Sequence, residues 1–264
     1  MQWQIVGCVI PGLTRNPPER FNIMAMMRID KLISQYGFGS RKEAKAIFKL
    51  GVVTVDGQVV LNPQTRVDPE ASAVYVGDVL IEYERYVYVM MNKPDGVISA
   101  SYDEEGQTVC DLLDEAHSWH DLFPVGRLDK DTTGLIILTN DGGFAHRALS
   151  PKKHVEKVYL AEVDKELSEK KEGKAFETGI TLDDGYRTMP AKLKILSEKA
   201  ARVVIREGKF HQIKRMFEAL GVNVVSLKRV AFAGIDLDEN LAPGEFRRLN
   251  ENEMNIIVNL LSKD

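Results

Sequence analysis

The stretch VGRLDKDTTGLIILTNDGG, residues 125–143, decides how the rest of the chain is read. Gly126 opens a tight turn that carries Arg127, Asp129 and Asp131. Residues 135–139, LIILT, follow as an apolar, β-rich run of strand length. Asn140-Asp141-Gly142-Gly143 closes the run as a turn signal. An arginine and a carboxylate are therefore presented on a loop ahead of a buried strand, and reactive groups are often held on loops braced by rigid structure. The turn also accounts for its aspartates without any chemistry, because Asp in turns commonly bonds its own backbone.

Upstream of this stretch, residues 86–91 (YVYVMM) read as a buried strand and residues 92–96 (NKPDG) as a turn. Residues 108–116 read as a short helix. His117, Trp119 and His120 follow with no carboxylate or cysteine at ligand spacing, so they are read as loop residues rather than metal ligands. Downstream, residues 144–149 are helical and 151–154 form a basic turn with Lys152 and Lys153. Residues 155–163 (VEKVYLAEV) read as a strand whose alternation puts Lys157 and Tyr159 on one face. Residues 167–176 read as a helix, and 191–196 with 201–205 as paired strands. EGKFHQIKRMF, residues 207–217, opens a helix ending near Gly221 and carries Lys209, His211, Gln212, Lys214 and Arg215. A strand over 222–230 and a helix over 253–260 complete the chain. Strands and helices alternate without a βαβ period, so the fold class is α+β with a mixed sheet, not a doubly wound one.

The N-terminal side has a different character. Residues 1–26 hold Pro11, Pro17 and Pro18, show no periodicity, and lack the charged start and apolar centre of a secretory signal. They are expected to be a disordered extension or to lie upstream of the true start, with Met24, Met26 and Met27 as later candidates; intact-mass measurement of the natural protein checks this. Residues 28–36 then read as a helix ended by Gly37 and Gly39. Ser40-Arg41-Lys42-Glu43 is a capping box that opens a second helix to about Leu50. A strand over 52–55 and an Asp56-Gly57 turn follow. Residues 62–84 are mixed and read as the end of this small unit plus a linker.

Charge separates the two parts. The 264-residue chain is net −4. Residues 27–67 hold seven Lys/Arg (Arg28, Lys31, Arg41, Lys42, Lys45, Lys49 and Arg66) against three acids, net +4. Residues 1–26 are net +1, which leaves the remainder at −9. A small basic module joined to an acidic body suits a nucleic-acid partner, because phosphates reward clustered Lys/Arg. No apolar run reaches the roughly 18 residues needed to span a bilayer, so no membrane partner is expected. Two cysteines, Cys8 and Cys110, without a CxxC or Cys/His cluster argue against a disulfide framework or zinc site and fit a reducing cytoplasm. No GxGxxG or GxxxxGK[ST] loop is present, so no nucleotide cofactor is indicated. A monomer is expected.

GRLD at 126–129, EKVY at 156–159 and GKFHQIKRMF at 208–217 together resemble the pseudouridine synthases that modify ribosomal RNA, in family order. MNKPDGV at 91–97 also matches the family's entry to its catalytic domain. RIDKLISQYGFGSRKEAKAIFKLGVVTVDGQVV, residues 28–60, resembles an S4 RNA-binding domain. The resemblance implies an S4 domain with linker over 27–84 and a catalytic domain over 85–264. It implies Asp129 as the catalytic aspartate and Lys214 as its basic partner, where many relatives carry arginine. It implies Tyr159 packing on the target base and Arg127 helping to extract the nucleotide. It also implies that no cofactor or metal is used. Arg28, Lys31, Arg41, Lys42, Lys45, Lys49, Lys152, Lys153, Lys209, His211, Gln212 and Arg215 are expected to contact RNA.

Each residue type has a chemical reason. Uridine becomes pseudouridine when the N1–C1′ bond breaks, the base turns, and C5 joins C1′. That isomerisation is neither redox nor hydrolysis. It needs a nucleophile or charged partner, and a free aspartate is ionised at neutral pH. An aromatic face stacks on a base, and a phenol can pass a proton. HQIKRMF, DTTGL at 131–135 and LAPGEFRRL at 241–249 point within the family to the branch acting on the small ribosomal subunit. A sibling acting on the large subunit, and an S4-containing RNA-binding or assembly protein without catalysis, are the alternatives.

Overall fold

The computed structural model describes residues 26–114, 117 and 120–262. The reading of residues 1–26 as an extension lies outside them, Met26 apart. In chain order the first elements are β1 (Met27–Arg28), α1 (Ile29–Gln35), α2 (Arg41–Lys49), β2 (Val53–Val55), β3 (Gln58–Val59), β4 (Arg66–Val67), β5 (Val74–Val76) and β6 (Val79–Leu80). The capping box forms as read. Ser40 Oγ accepts from Glu43 N–H, and Glu43 Oε2 accepts from Ser40 N–H at 2.8 Å. Ile29, Leu32, Ile33, Ala44, Phe48, Val53, Val67, Val74, Val76 and Ile81 bury together as one core. Residues 62–81 therefore belong to this small unit, with β5 pairing β2 and β4 pairing β1. The stretch read as mostly linker is structural, because its short valine-rich strands complete two sheets.

The larger body is β7 (Tyr88–Lys93), β8 (Phe123–Pro124), β9 (Thr133–Thr139), α3 (Gly142–Leu149), β10 (Lys157–Val163), α4 (Lys174–Thr178), β11 (Lys192–Ser197), β12 (Ala200–Ile205), α5 (Gln212–Glu218), β13 (Val224–Phe232), β14 (Ile235–Asp236), β15 (Phe246–Arg248) and α6 (Glu251–Ser262). Its main sheet runs β11-β12-β10-β13-β9-β7-β15, with β14 on β13 and β8 on β9. Only the β13–β9 pairing is parallel among the described strands. The fold is α+β with a mixed, mostly antiparallel sheet flanked by helices.

The two apolar runs become central strands because both faces of the sheet are covered. Val89, Met91, Ile136 and Leu138 enter one core with Phe176 and Phe217 from α4 and α5. Tyr88, Met90, Leu135 and Ile137 enter the opposite core with Phe144 and Ile257 from α3 and α6. Side chains alternate across a strand, so a strand buried on both faces reads as a continuous apolar run. Full burial of each such side chain contributes roughly 1.5–3 kcal/mol.

Four further segments depart from the sequence reading. Residues 109–114 form turns and bends rather than the helix expected over 108–116, whose last two residues lie outside the described ones. Thr108 N–H and Oγ1 both donate to Asp111 Oδ2, and Val109 N–H donates to Ile98 O, which satisfies this backbone without a helix. Asn92 and Lys93 extend β7 instead of starting a turn, since Asn92 exchanges backbone bonds with Glu245 and Gly244. The 140–143 turn is a helix start: Asp141 caps α3, its Oδ1 accepting from Gly143 and Phe144 N–H. Finally, α5 begins at Gln212 and not at Glu207. His211 sits at φ 49°, a left-handed conformation that no helix interior accommodates.

Candidate active site

Residues 126–132 form a loop packed over the end of β7. Gly126 adopts φ +81° to turn into it. Leu128 is tied at both ends of its peptide to Ser99, whose Oγ donates to Leu128 O at 3.0 Å and accepts from Leu128 N–H at 3.1 Å. Gly96 N–H donates to Lys130 O. Lys93 lies beneath, with no exposed surface. Its Nζ donates to Pro94 O (3.0 Å), Lys130 O (3.0 Å) and Thr132 O (2.9 Å). An ammonium has three donors, and here each has a carbonyl. Burial pulls this lysine down to about 8, while Asp95, Asp131 and Asp129 act in the opposite direction.

At the far end of the loop, β9 meets β13 in parallel, with Gly134 opposite Arg229. Gly134 has φ +97°, and a Cβ there would stand 2.2 Å from Arg229 O. This approach admits glycine only, and it joins the Asp129 loop to the strand beside Tyr159, whose Cα partner on β13 is also Arg229. The register of β10 against β13 shifts between Val158 and Tyr159. The skipped residue is Val230, so the bulge lies on β13, while β10 keeps an unbroken register against β12 from Lys157 to Glu162.

With its backbone held from below, the loop turns its carboxylates to the opposite side. Lys214, on α5, reaches Asp129 Oδ2 at 3.4 Å and Asp131 Oδ1 at 2.6 Å. His211 Nε2 lies 3.6 Å from Asp129 Oδ1. Asp129 and Lys214 keep 28% and 22% of their side-chain surface exposed, against 69% for Asp131. The closer hydrogen bond thus goes to the more exposed carboxylate, and it holds the Asp131 carboxyl below the ordinary range. Asp129 keeps an open face with two basic groups beside it. Tyr159 is buried in the core below, with 8% exposure.

The 207–211 segment that carries His211 is built on Glu207. This buried carboxylate accepts from Tyr186 Oη (2.7 Å), Met189 N–H (2.8 Å) and Gln212 Nε2 (2.7 Å). Gln212 Oε1 in turn accepts from Lys209 N–H. Gln212 is therefore buried with both ends of its amide engaged, away from any RNA-accessible surface. Arg215 is drawn to the Asp183 and Asp184 carboxylates.

Of the residues expected at the site, Asp129 meets both His211 and Lys214, and Tyr159 lies two strands from Gly134 through the β9–β13–β10 pairing. Arg127 is exposed on the same loop, and Lys209 is exposed two residues before His211. Lys152 and Lys153 flank the end of α3, in the turn Pro151–Lys153. Arg28, Lys31, Lys42, Lys45 and Lys49 stand apart, on the small unit; Lys42, Lys45 and Lys49 are exposed, while Arg28 is paired with Asp30 at 2.6 Å. Arg41 opens α2. Lys93, Ser99 and Glu207 are site residues that sequence reasoning misses. Only Lys93 leaves a trace there, as a charge ending an apolar strand. Among the described residues no group of three or more His, Cys, Asp or Glu could hold a metal ion, and no helix is long and apolar enough to cross a membrane.

Comparison with known proteins places this geometry in a family. Residues 87–219 match the RNA pseudouridylate synthase family, and residues 27–72 match the S4 domain. An RNA pseudouridine synthase of Bacillus subtilis is 45% identical, covering 88% of this chain and 98% of that protein. Ribosomal small subunit pseudouridine synthase A of Escherichia coli is 40% identical, covering 88% of this chain and 100% of that one. A crystal structure of a pseudouridylate synthase superposes with TM-score 0.62 at 36% identity, over 88% of this chain and 99% of its own. The chain belongs to the RNA pseudouridylate synthase family and is a pseudouridine synthase with an N-terminal S4 domain.

Proposed function

We propose that this enzyme isomerises one specific uridine of small-subunit ribosomal RNA in the cytoplasm, with Asp129 as its catalytic aspartate. The observation that carries this reading is the Asp129 carboxylate itself, partly open to solvent, with Lys214 at 3.4 Å and His211 at 3.6 Å on a loop tied down from beneath. Two nitrogen-bearing side chains thus face the carboxylate that attacks or stabilises the reacting centre. Tyr159 supports the base from the core side. Arg127, exposed two residues before Asp129, holds the strand once the uridine leaves its stack, a step costing a few kcal/mol.

Residues 27–84 act as the RNA-docking unit and residues 85–264 as the catalytic domain. Exposed Lys42, Lys45 and Lys49 on one helix supply phosphate contacts, as do Arg41 at its start and Lys31 and Arg28 on the neighbouring elements. Lys152, Lys153 and Lys209 extend the cationic surface on the catalytic side, and Arg215 beside them is paired with Asp183 and Asp184. The substrate assignment rests on the small-subunit relative covered along its whole length.

The test is pseudouridine mapping of both ribosomal RNAs from cells lacking this protein, rescued with wild type or Asp129→Asn. Loss of one small-subunit site, restored by wild type alone, is the expected result. Loss at a large-subunit site moves the substrate to that particle. No change at any site, or full rescue by Asp129→Asn, overturns the catalytic assignment.

A further inference from the structure

Phe210 is 74% exposed, a large apolar side chain at the rim of the Asp129 site. Isolated surface hydrophobics are ordinary, but this one is not a loose side chain. Its ring lies 3.7 Å from the His211 ring, centroid to centroid, at 19° between planes. His211 is the residue whose Nε2 stands beside Asp129. One face of Phe210 is thus laid on the imidazole, and its other surface is open to solvent. The backbone beneath is anchored on both sides: Gln212 holds Lys209 N–H, Arg215 Nη1 donates to Phe210 O at 3.4 Å, and the whole turn hangs on buried Glu207. Lys209 Nζ sits 4.6 Å from the Tyr186 ring centre, adding a cation and a second aromatic to the same rim.

We propose that Phe210 is a stacking platform for a base of the substrate RNA that flanks the reacting uridine. This rests on the reading of Asp129 as the catalytic aspartate. On that reading the reacting base meets the Asp129 carboxylate, which His211 touches with Nε2 while its ring carries Phe210. The other surface of Phe210 is open to solvent, so the base it takes is a neighbour that remains outside the catalytic pocket. A preformed ring makes this favourable, because the side chain is already ordered before RNA arrives. Stacking on an aromatic face tolerates any base and is worth roughly 5- to 150-fold in affinity. Phe210 is a positioning residue: it touches substrate away from the reacting atoms. A neighbour held equally in ground and transition states changes KM and leaves kcat alone.

The test compares wild type with Phe210→Trp, Phe210→Leu and Phe210→Ala on transcribed small-subunit ribosomal RNA. Binding is measured in parallel with each substitution combined with Asp129→Asn. Phe210→Trp is expected to stay within about twofold of wild type. Phe210→Leu and Phe210→Ala are both expected to raise KM, and the Kd in the Asp129→Asn background, by about 10-fold, within the range for one stacked base, with kcat and Tm unchanged. Leucine keeps the apolar area and lacks the ring, so rescue by leucine assigns the residue to packing and overturns the proposal. Alanine within twofold of wild type overturns it as well. Wild type inactive on this RNA overturns the substrate reading instead, and the Kd series still decides whether Phe210 meets a base.

Discussion

The Asp129 loop is held by two lysines that do opposite things. Beneath it, Lys93 is wholly buried, bonds three carbonyls and touches no carboxylate closely. In front of it, Lys214 is partly exposed and bonds carboxylates instead. Beneath the loop the acceptors are backbone, so the lysine sets where the chain runs. In front they are side chains, so the lysine sets the charge that a substrate meets. The same residue type therefore braces backbone below and pairs with carboxylates above, and the difference comes from which oxygens surround it. A buried lysine without its three acceptors would be a heavy liability, whereas an exposed one is tolerated anywhere.

The predictions separate the two sides by asking whether activity and stability fall together. Asp129→Asn, at the front, is expected to lower kcat by about 10⁴-fold or more, as removal of a residue from a catalytic unit does, while Tm stays unchanged; single-turnover isomerisation and calorimetry check this. A residual rate within tenfold of wild type would remove Asp129 from the chemistry. Gly134→Ala, at the back, is expected to destabilise by about 3–5 kcal/mol, because it combines strained backbone with a clash against Arg229 O. Urea unfolding measures it, and an unaffected midpoint would mean that the β9–β13 approach can relax.

Lys93→Met comes next, at about 3 kcal/mol, because it strands carbonyls that each cost about 1–3 kcal/mol when buried unpaired. Activity should fall in step with stability. A variant that is stable yet inactive would move Lys93 to the reactive side. Lys214→Ala should cost about 10²-fold in kcat/KM, in the range for loss of one electrostatic donor, with Tm preserved. Lys214→Arg should recover most of that, since the charge remains although the geometry of the donor changes.

The smallest effect lies where the small unit meets the body. His120 is buried, its ring 5.5 Å from that of Tyr36, whose hydroxyl accepts from Glu84 N–H at 2.7 Å. Glu84 is also paired with Arg248. Burial pushes His120 down to about 4, with Arg248 and His117 acting the same way and Asp121 against. The folded state thus binds this proton less readily than the unfolded chain, whose histidine titrates near 6.5. Stability from His120 is complete above pH 6.5 and is lost as pH falls towards 4, by on the order of 3 kcal/mol. His120→Gln should flatten the acid limb of the unfolding free energy between those values. An identical limb in both proteins would show that other groups govern it.

Much of this architecture is legible in the amino-acid sequence. The apolar runs around residues 86–91 and 135–139 read as strands, because burial on both faces leaves no other residue types tolerable. The Ser40–Glu43 capping box is legible because it closes within one turn of chain. The family is legible through the motifs at 126–129, 156–159 and 208–217, which match it in order and spacing. The helix expected from residue 207 does not form there. The pattern of cations and apolar residues carries no sign of a left-handed residue at 211, or of a carboxylate at 207 bonding the backbone at 189.

Sequence by itself determined the α+β class and the two-part division of charge, which follow from local pattern and composition, and it pointed to the family through the resemblance of its motifs. Only the tertiary structure decided that Lys93 is buried under the loop and that Lys214 divides itself between Asp129 and Asp131. It alone decided that Gln212 faces inward and Phe210 outward. The Lys214–Asp131 contact joins residues 83 positions apart. Which partners a charged or amide side chain finds depends on what the fold brings within a few ångströms of it, and no one-dimensional pattern carries that distance.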